Sequence, residues 1–179
     1  MPDEPLRLPP ISTAPGLLTI VMVHETYSPL LRGYDPDLAF RCMRLMRQCI
    51  ENRCRHPERF GLPRARPGLA NVMGIIKNRA FGDFANAPNF NPLFIRDTNT
   101  IIRLAGTPGD SRYRRCYDHV LKAITAATEP TPPADVIKRN YFYWRTAGHG
   151  APSLPTGVTA IEFETLLFNT FWGQSDLPN

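Results

Sequence analysis

What this sequence lacks narrows it first. No apolar run approaches the ~20 residues that a membrane-spanning helix needs, so membrane insertion is not expected. None of the four cysteines, Cys42, Cys49, Cys54 and Cys116, belongs to a C-x-x-C pair, and their spacing does not make a tetrahedral zinc set. The segment "HETYS" is not H-E-x-x-H, which argues against a zincin. The opening "MPDEPLRLPPISTAPG" is acidic and Pro-rich, without the basic and apolar regions of a secretory signal. The expectation is a chain made in the cytoplasm without a signal peptide and carried outward by another device if it acts there. There is no internal repeat, no βαβ rhythm and no recognised DNA-binding motif, so nucleic acid is not an expected partner. Nothing in the spacing implies a metal or an organic cofactor.

What is present is an ordinary globular composition. The chain has 179 residues, 42% hydrophobic and 21% charged, enough for one domain with a real core. The formal charge of +5 favours an anionic partner such as nucleic acid, anionic lipid or a cell-wall polymer, and does not choose among them. Residues 1–16 hold five prolines and read as an extended arm; residues 17–179 read as the functional domain.

Along that domain, Leu17 to Thr26 is apolar and short, a buried helix ending near Tyr27. "YDPDLAFRCMRLMRQCIENR" is the clearest helix, with Asp35 as cap and Pro36 at its first position. Leu38, Cys42, Leu45, Met46, Cys49 and Ile50 share its inward face, and Arg41, Arg44 and Arg47 fill much of the rest. Cys42 and Cys49 read as small core residues, and a Cys54–Cys116 disulfide is open in an oxidising compartment. A Pro/Gly/Arg-rich loop follows, then a short helix in "LANVMGIIKNRA". Phe81 to Pro108 reads mostly as loop, with a helical turn near Thr98 to Leu104. "DSRYRRCYDHVLKAITAAT" is a second strong helix, capped by Asp110 or Ser111, with Tyr113, Cys116, Tyr117, Val120, Leu121 and Ile124 inward. "VIKRNYFYWR" favours a strand. "AIEFETLLFNTFWG" fits either a helix or a strand ending in "FNTFW". The sum is an α-rich α+β domain.

The candidate chemistry centres on Glu25, a lone carboxyl at the end of an apolar helix. Partial desolvation disfavours a charged carboxylate, and a carboxyl that keeps its proton can donate it to a glycosidic oxygen, as lysozyme's acid does. The plainer reading is a Glu that caps or pairs with a nearby Arg. Sugar C–H faces stack on aromatic rings, so "YFYW" and "FNTFW" can line a groove as well as a core. Alternation puts Tyr141 with Tyr143 on one strand face and Phe142 with Trp144 on the other. His119 reads as a surface or packed histidine.

The order of "LLTIVMVHETYSP", the helix ending "ENR", "NVMGIIKNRAFGDF", "YDHVLKAITAAT", "NYFYW" and "LLFNTFWG" resembles the SleB/CwlJ cell-wall hydrolase family over residues 17–173. The resemblance implies a mostly helical, lysozyme-like single domain with a small β element. It implies peptidoglycan as substrate, cleaved between N-acetylmuramic acid and N-acetylglucosamine by a lytic transglycosylase or muramidase. It carries the catalytic role to Glu25 and a structural role to Asn52 and Arg53, which would tie down neighbouring backbone. Substrate-binding positions are Tyr27, Asn78, Phe81, Tyr141, Tyr143, Trp144, His149 and Asn169. The chain departs from the pattern in "TYSP" after Glu25 and in Thr170, which stands where the family has His. No second carboxylate stands at a fixed offset, though Asp35, Asp37 and Glu51 are candidates. Such an enzyme would act in the periplasm or cell wall, as a phage lysin or an injected antibacterial effector, and an effector would have an immunity protein as partner. The rival readings are a Cys/His amidase or peptidase, using His149 and a cysteine, and a non-catalytic wall-binding module.

Overall fold

The computed structural model describes residues 6–60, 92–130, 140–148 and 154–176. Among them stand four α-helices, α1 (Ala14–Glu25), α2 (Pro36–Arg55), α3 (Pro92–Ala105) and α4 (Tyr113–Thr128). Three short strands follow, β1 (Tyr143–Thr146), β2 (Ala160–Leu166) and β3 (Asn169–Gln174). The class is therefore α+β with helices dominant. The expected helix in residues 69–80 lies outside the described residues.

Helix α1 begins at Ala14, earlier than the apolar run alone suggested. Thr13 starts it, its Oγ1 accepting the Gly16 N–H at 3.2 Å. Pro9 and Pro10 of the Pro-rich segment lie against this first turn, and a Cβ on Gly16 would collide with their carbonyls. A helix that is apolar all round must be enclosed, and Leu17, Leu18, Val21, Met22 and Val23 are all buried.

Helix α2 is capped as the sequence indicates, Asp35 Oδ1 accepting from the N–H groups of Asp37 and Leu38 at 2.9 Å each. Cys42, Leu45, Met46, Cys49 and Ile50 are fully buried, whereas Leu38 in the first turn is exposed. Two of its arginines do not simply face solvent. Arg47 donates to the Ala126 carbonyl at 2.8 Å and the Glu129 carbonyl at 2.5 Å, and Arg44 grips the Glu129 carboxylate in a fork at 3.0 and 2.8 Å. Arg47 thus satisfies carbonyls left open at the end of α4, and Arg44 fixes the side chain of its C-cap residue.

Helix α3 corrects the expectation of a loop with one helical turn. Pro92 occupies its first position, where no backbone N–H is needed, so this proline starts the helix instead of breaking it. Thr98, Ile101, Leu104 and Ala105 are buried. Helix α4 is capped by neither expected residue. Its N-cap is Arg112, and Asp110 instead binds the Arg112 N–H and guanidinium just ahead of the helix. Cys116, Tyr117 and Val120 point inward, but Leu121 is 42% exposed, and His119, Ala123, Ala126 and Ala127 take the interior. Small residues let neighbouring helices approach closely.

The sheet is antiparallel in the order β1–β3–β2. The closing segment is a hairpin, which excludes the helical alternative. Its loop is only Leu167 and Phe168, with φ of 42° and 66°, the sign pattern of a type I′ turn. Left-handed backbone costs about 1–2 kcal/mol for each residue with a Cβ. A bulge between Glu162 and Glu164 lets the Phe163 ring stack on Tyr141 at 4.5 Å. Phe163 also covers Gly173, where a Cβ would strike its ring and the Asn140 carbonyl.

Two cores result. The larger joins α1, α3, α4 and part of α2; the smaller packs Cys42, Leu45, Met46 and Cys49 of α2 on Tyr141 and Phe171. Trp144 touches both. All four cysteines are buried free thiols, so the Cys54–Cys116 disulfide does not form; both residues pack as small apolar groups in the larger core.

Candidate functional site

The end of α1 carries no glycine cap, so its last carbonyls must find tertiary donors. His119 on α4 supplies one, its Nε2 lying 3.3 Å from the Val23 carbonyl. Nε2 therefore carries the proton, and Nδ1 accepts from the Tyr34 hydroxyl at 3.1 Å. Burial lowers the pKa of His119 to about 4. Asn169 on β3 supplies the other, its Nδ2 donating to the Glu25 carbonyl at 3.2 Å while lying 3.7 Å from Cys42 Sγ. The turn out of α1 is thus set by α4 and β3 together.

The Glu25 side chain is half-buried, and its Oε2 accepts from the Trp144 indole N–H at 3.3 Å. Trp144 is delivered by α2. Asn52 donates to the Tyr141 carbonyl at 2.8 Å and Arg53 to the Phe142 carbonyl at 2.6 Å, the tie to neighbouring backbone expected of this pair. Arg53 is buried, which lowers its pKa to about 10 and leaves it charged at neutral pH. Its guanidinium lies 4.6 Å from the Tyr143 ring centre and 5.9 Å from that of Trp144.

No family model, curated protein or solved structure matches the chain.

Of the residues singled out in the sequence, the fold gathers Tyr27, Trp144 and Asn169 around the Glu25 end of α1. Tyr27 is half-buried, its hydroxyl donating to the Arg32 carbonyl at 2.8 Å and its ring 5.0 Å from Phe168. Asn169 is 6% exposed, which suits a residue that positions Glu25 better than one reading a ligand. Tyr141 and Tyr143 do not join this group. Because β1 starts only at Tyr143, the assumed alternation fails for Tyr141, which is 4% exposed and packs with Phe171. Its hydroxyl donates to Glu164 at 2.8 Å. Tyr143 pairs with Trp172 on the sheet face opposite Trp144, and its hydroxyl accepts from Gln174 at 2.8 Å. Asn78, Phe81 and His149 lie outside the described residues.

Of three further residues nearby, Glu164 and His119 carry no site role in the sequence reading, and Phe168 enters it only as the first residue of "FNTFW". Glu164 stands on the α2-facing side of the sheet, paired to Arg41 at 2.9 Å; with Glu25 it helps to push the buried Cys42 thiol up, although burial is the main cause. Phe168 leans over Tyr27, and His119 caps α1. On the other flank of the helix end, His24 lies 3.2 Å from Thr98 and helps to line a cavity of about 350 Å³ with Val23, Ser28, Asp97 and Ile101. Among the described residues no cluster of three or more His, Cys, Asp or Glu could hold a metal ion, and no helix is long and apolar enough to cross a membrane.

Proposed function

We propose that the chain is a lysozyme-like enzyme that cleaves peptidoglycan glycan strands between N-acetylmuramic acid and N-acetylglucosamine, with Glu25 as general acid. The observation that carries this reading is the setting of Glu25. It is a half-buried carboxyl at the end of an enclosed apolar helix, its backbone held by Asn169, with one oxygen oriented by Trp144. General acid catalysis needs that combination of a sheltered proton carrier and fixed geometry.

In the proposed step the bond between the anomeric carbon and the leaving oxygen breaks as Glu25 delivers its proton to that oxygen. The resulting carboxylate then takes a proton either from water, giving a reducing end, or from the sugar's own 6-hydroxyl, giving an anhydro ring. The second route needs one carboxyl only. The sequence candidates for another are engaged elsewhere: Asp35 caps α2, Asp37 pairs with Lys122, and Glu51 pairs with Arg47. Glu164 is held by Arg41 and Tyr141. These commitments favour the transglycosylase route. An inhibitory protein partner would act by covering the Glu25 face.

A thiol mechanism draws less support. Burial raises Cys49 to about 12 and Cys54 to about 11, and also raises Cys42 and Cys116, the opposite of an activated thiolate. Digestion of purified sacculi, with mass spectrometry of the soluble products, tests the choice. Wild type is expected to release muropeptides with anhydro or reducing ends, and Glu25→Gln to lose roughly 100-fold or more of that rate. Free peptides, binding without release, or an active Glu25→Gln variant would each overturn the proposal.

A further inference from the structure

The β2–β3 hairpin turns on two residues that dislike the required backbone. Turns with this sign pattern favour Asn-Gly or Gly-Gly; here Leu167 and Phe168 both adopt positive φ. Phe168 does not obtain burial in return, since it is 60% exposed, the highest exposure among the large hydrophobic residues described. Its ring does have a defined place. It lies 5.0 Å from the Tyr27 ring at 31°, and Tyr27 is itself pinned through its hydroxyl to the Arg32 carbonyl. The residue after Phe168 is Asn169, which holds the Glu25 carbonyl, and Tyr27 lies two positions beyond Glu25 in the chain. The Phe168 carbonyl also accepts from the Ala147 N–H at 2.6 Å, fixing the tip to the chain leaving β1. An exposed ring held in costly backbone, next in the chain to the residue that holds the candidate acid's carbonyl, is the kind of strain that collects at ligand clamps.

We infer that Phe168, backed by Tyr27, is a stacking platform for one pyranose ring of the glycan strand, setting where the strand lies across Glu25. This rests on the glycan reading of the Glu25 site. Aromatic faces take the C–H face of a sugar and make little use of its hydroxyls. The platform therefore contributes affinity and register, while the bond-breaking proton stays with Glu25.

The test uses the full chain and soluble oligosaccharides of alternating N-acetylglucosamine and N-acetylmuramic acid. Phe168→Gly removes the ring and relieves the left-handed strain together. It is expected to raise the melting temperature by about 2–4 °C while raising KM roughly tenfold, with kcat little changed. Phe168→Trp should keep the wild-type KM. A Phe168→Gly variant with unchanged KM, or one that loses stability and activity in parallel, overturns the platform even where Glu25→Gln confirms the acid. Wild type that neither binds nor cuts the oligosaccharide overturns both readings.

Discussion

His119 shows what a single side chain does for this architecture. It is fully buried among helices, with Nε2 3.3 Å from the Val23 carbonyl and Nδ1 3.1 Å from the Tyr34 hydroxyl, so the neutral ring has both nitrogens satisfied. Burial depresses its pKa from the ordinary 6.5 to about 4. Above pH 6.5 the ring is neutral in both the folded and unfolded chain, and the stability tied to its neutral state is fully present. Between pH 6.5 and 4 only the unfolded chain takes up this proton, so stability falls as pH falls. The loss totals roughly 3 kcal/mol by pH 4 and then levels off. Urea melts of wild type and His119→Gln across that window should show a steeper fall for wild type, since Gln can supply the same donor and acceptor without titrating. Equal slopes would refute the assignment. The sequence places His119 on a helix but does not reveal that it closes the end of another one.

At the scale of elements, the decisive link is the last turn of α2 against the start of β1. Asn52 and Arg53 reach two consecutive carbonyls, and the Asn52 oxygen accepts from Gln48 and Arg55, both at 2.8 Å. Asn52→Ala is expected to cost about 1–3 kcal/mol, because it strands the Tyr141 carbonyl and the Gln48 amide in the interior. Chemical denaturation measures the loss, and hydrogen exchange should show faster opening of the Tyr143–Thr146 amides. A change below a few tenths of a kcal/mol would mean that this link does not hold the strand. Helices α2 and α4 were legible from their strong apolar spacing, and in α2 the Asp35 cap agreed with it. Helix α3 was not, because Pro92 and Asn99 sit in a stretch punctuated by Asn, Pro and Gly, although Pro92 at the first position starts the helix. The hairpin was ambiguous for a related reason: Leu-Phe carries none of the usual turn chemistry.

For the whole molecule, the two cores meet at Trp144, so the packing of the helical part and of the sheet both bear on the orientation of Glu25. The four thiols are distributed through these cores and report on their integrity. Iodoacetamide at neutral pH is expected to label the folded protein at a small fraction of the rate seen in urea, with four labels taken up on unfolding. Rapid labelling of one cysteine in the folded state would show an accessible thiol and revive the amidase reading.

The sequence by itself determined that α1, α2 and α4 form as apolar or amphipathic helices, that Cys42 and Cys49 face the interior, and that a lone glutamate ends an apolar helix. Local spacing suffices for these, because periodicity and capping act over a few residues. Only the tertiary structure decided that Trp144 and Asn169 meet Glu25, that Tyr141 turns into the core, and that Phe168 reaches Tyr27. The contacts of Glu25 and Tyr27 join residues more than a hundred positions apart, and local periodicity records which face is apolar without naming the element that will cover it.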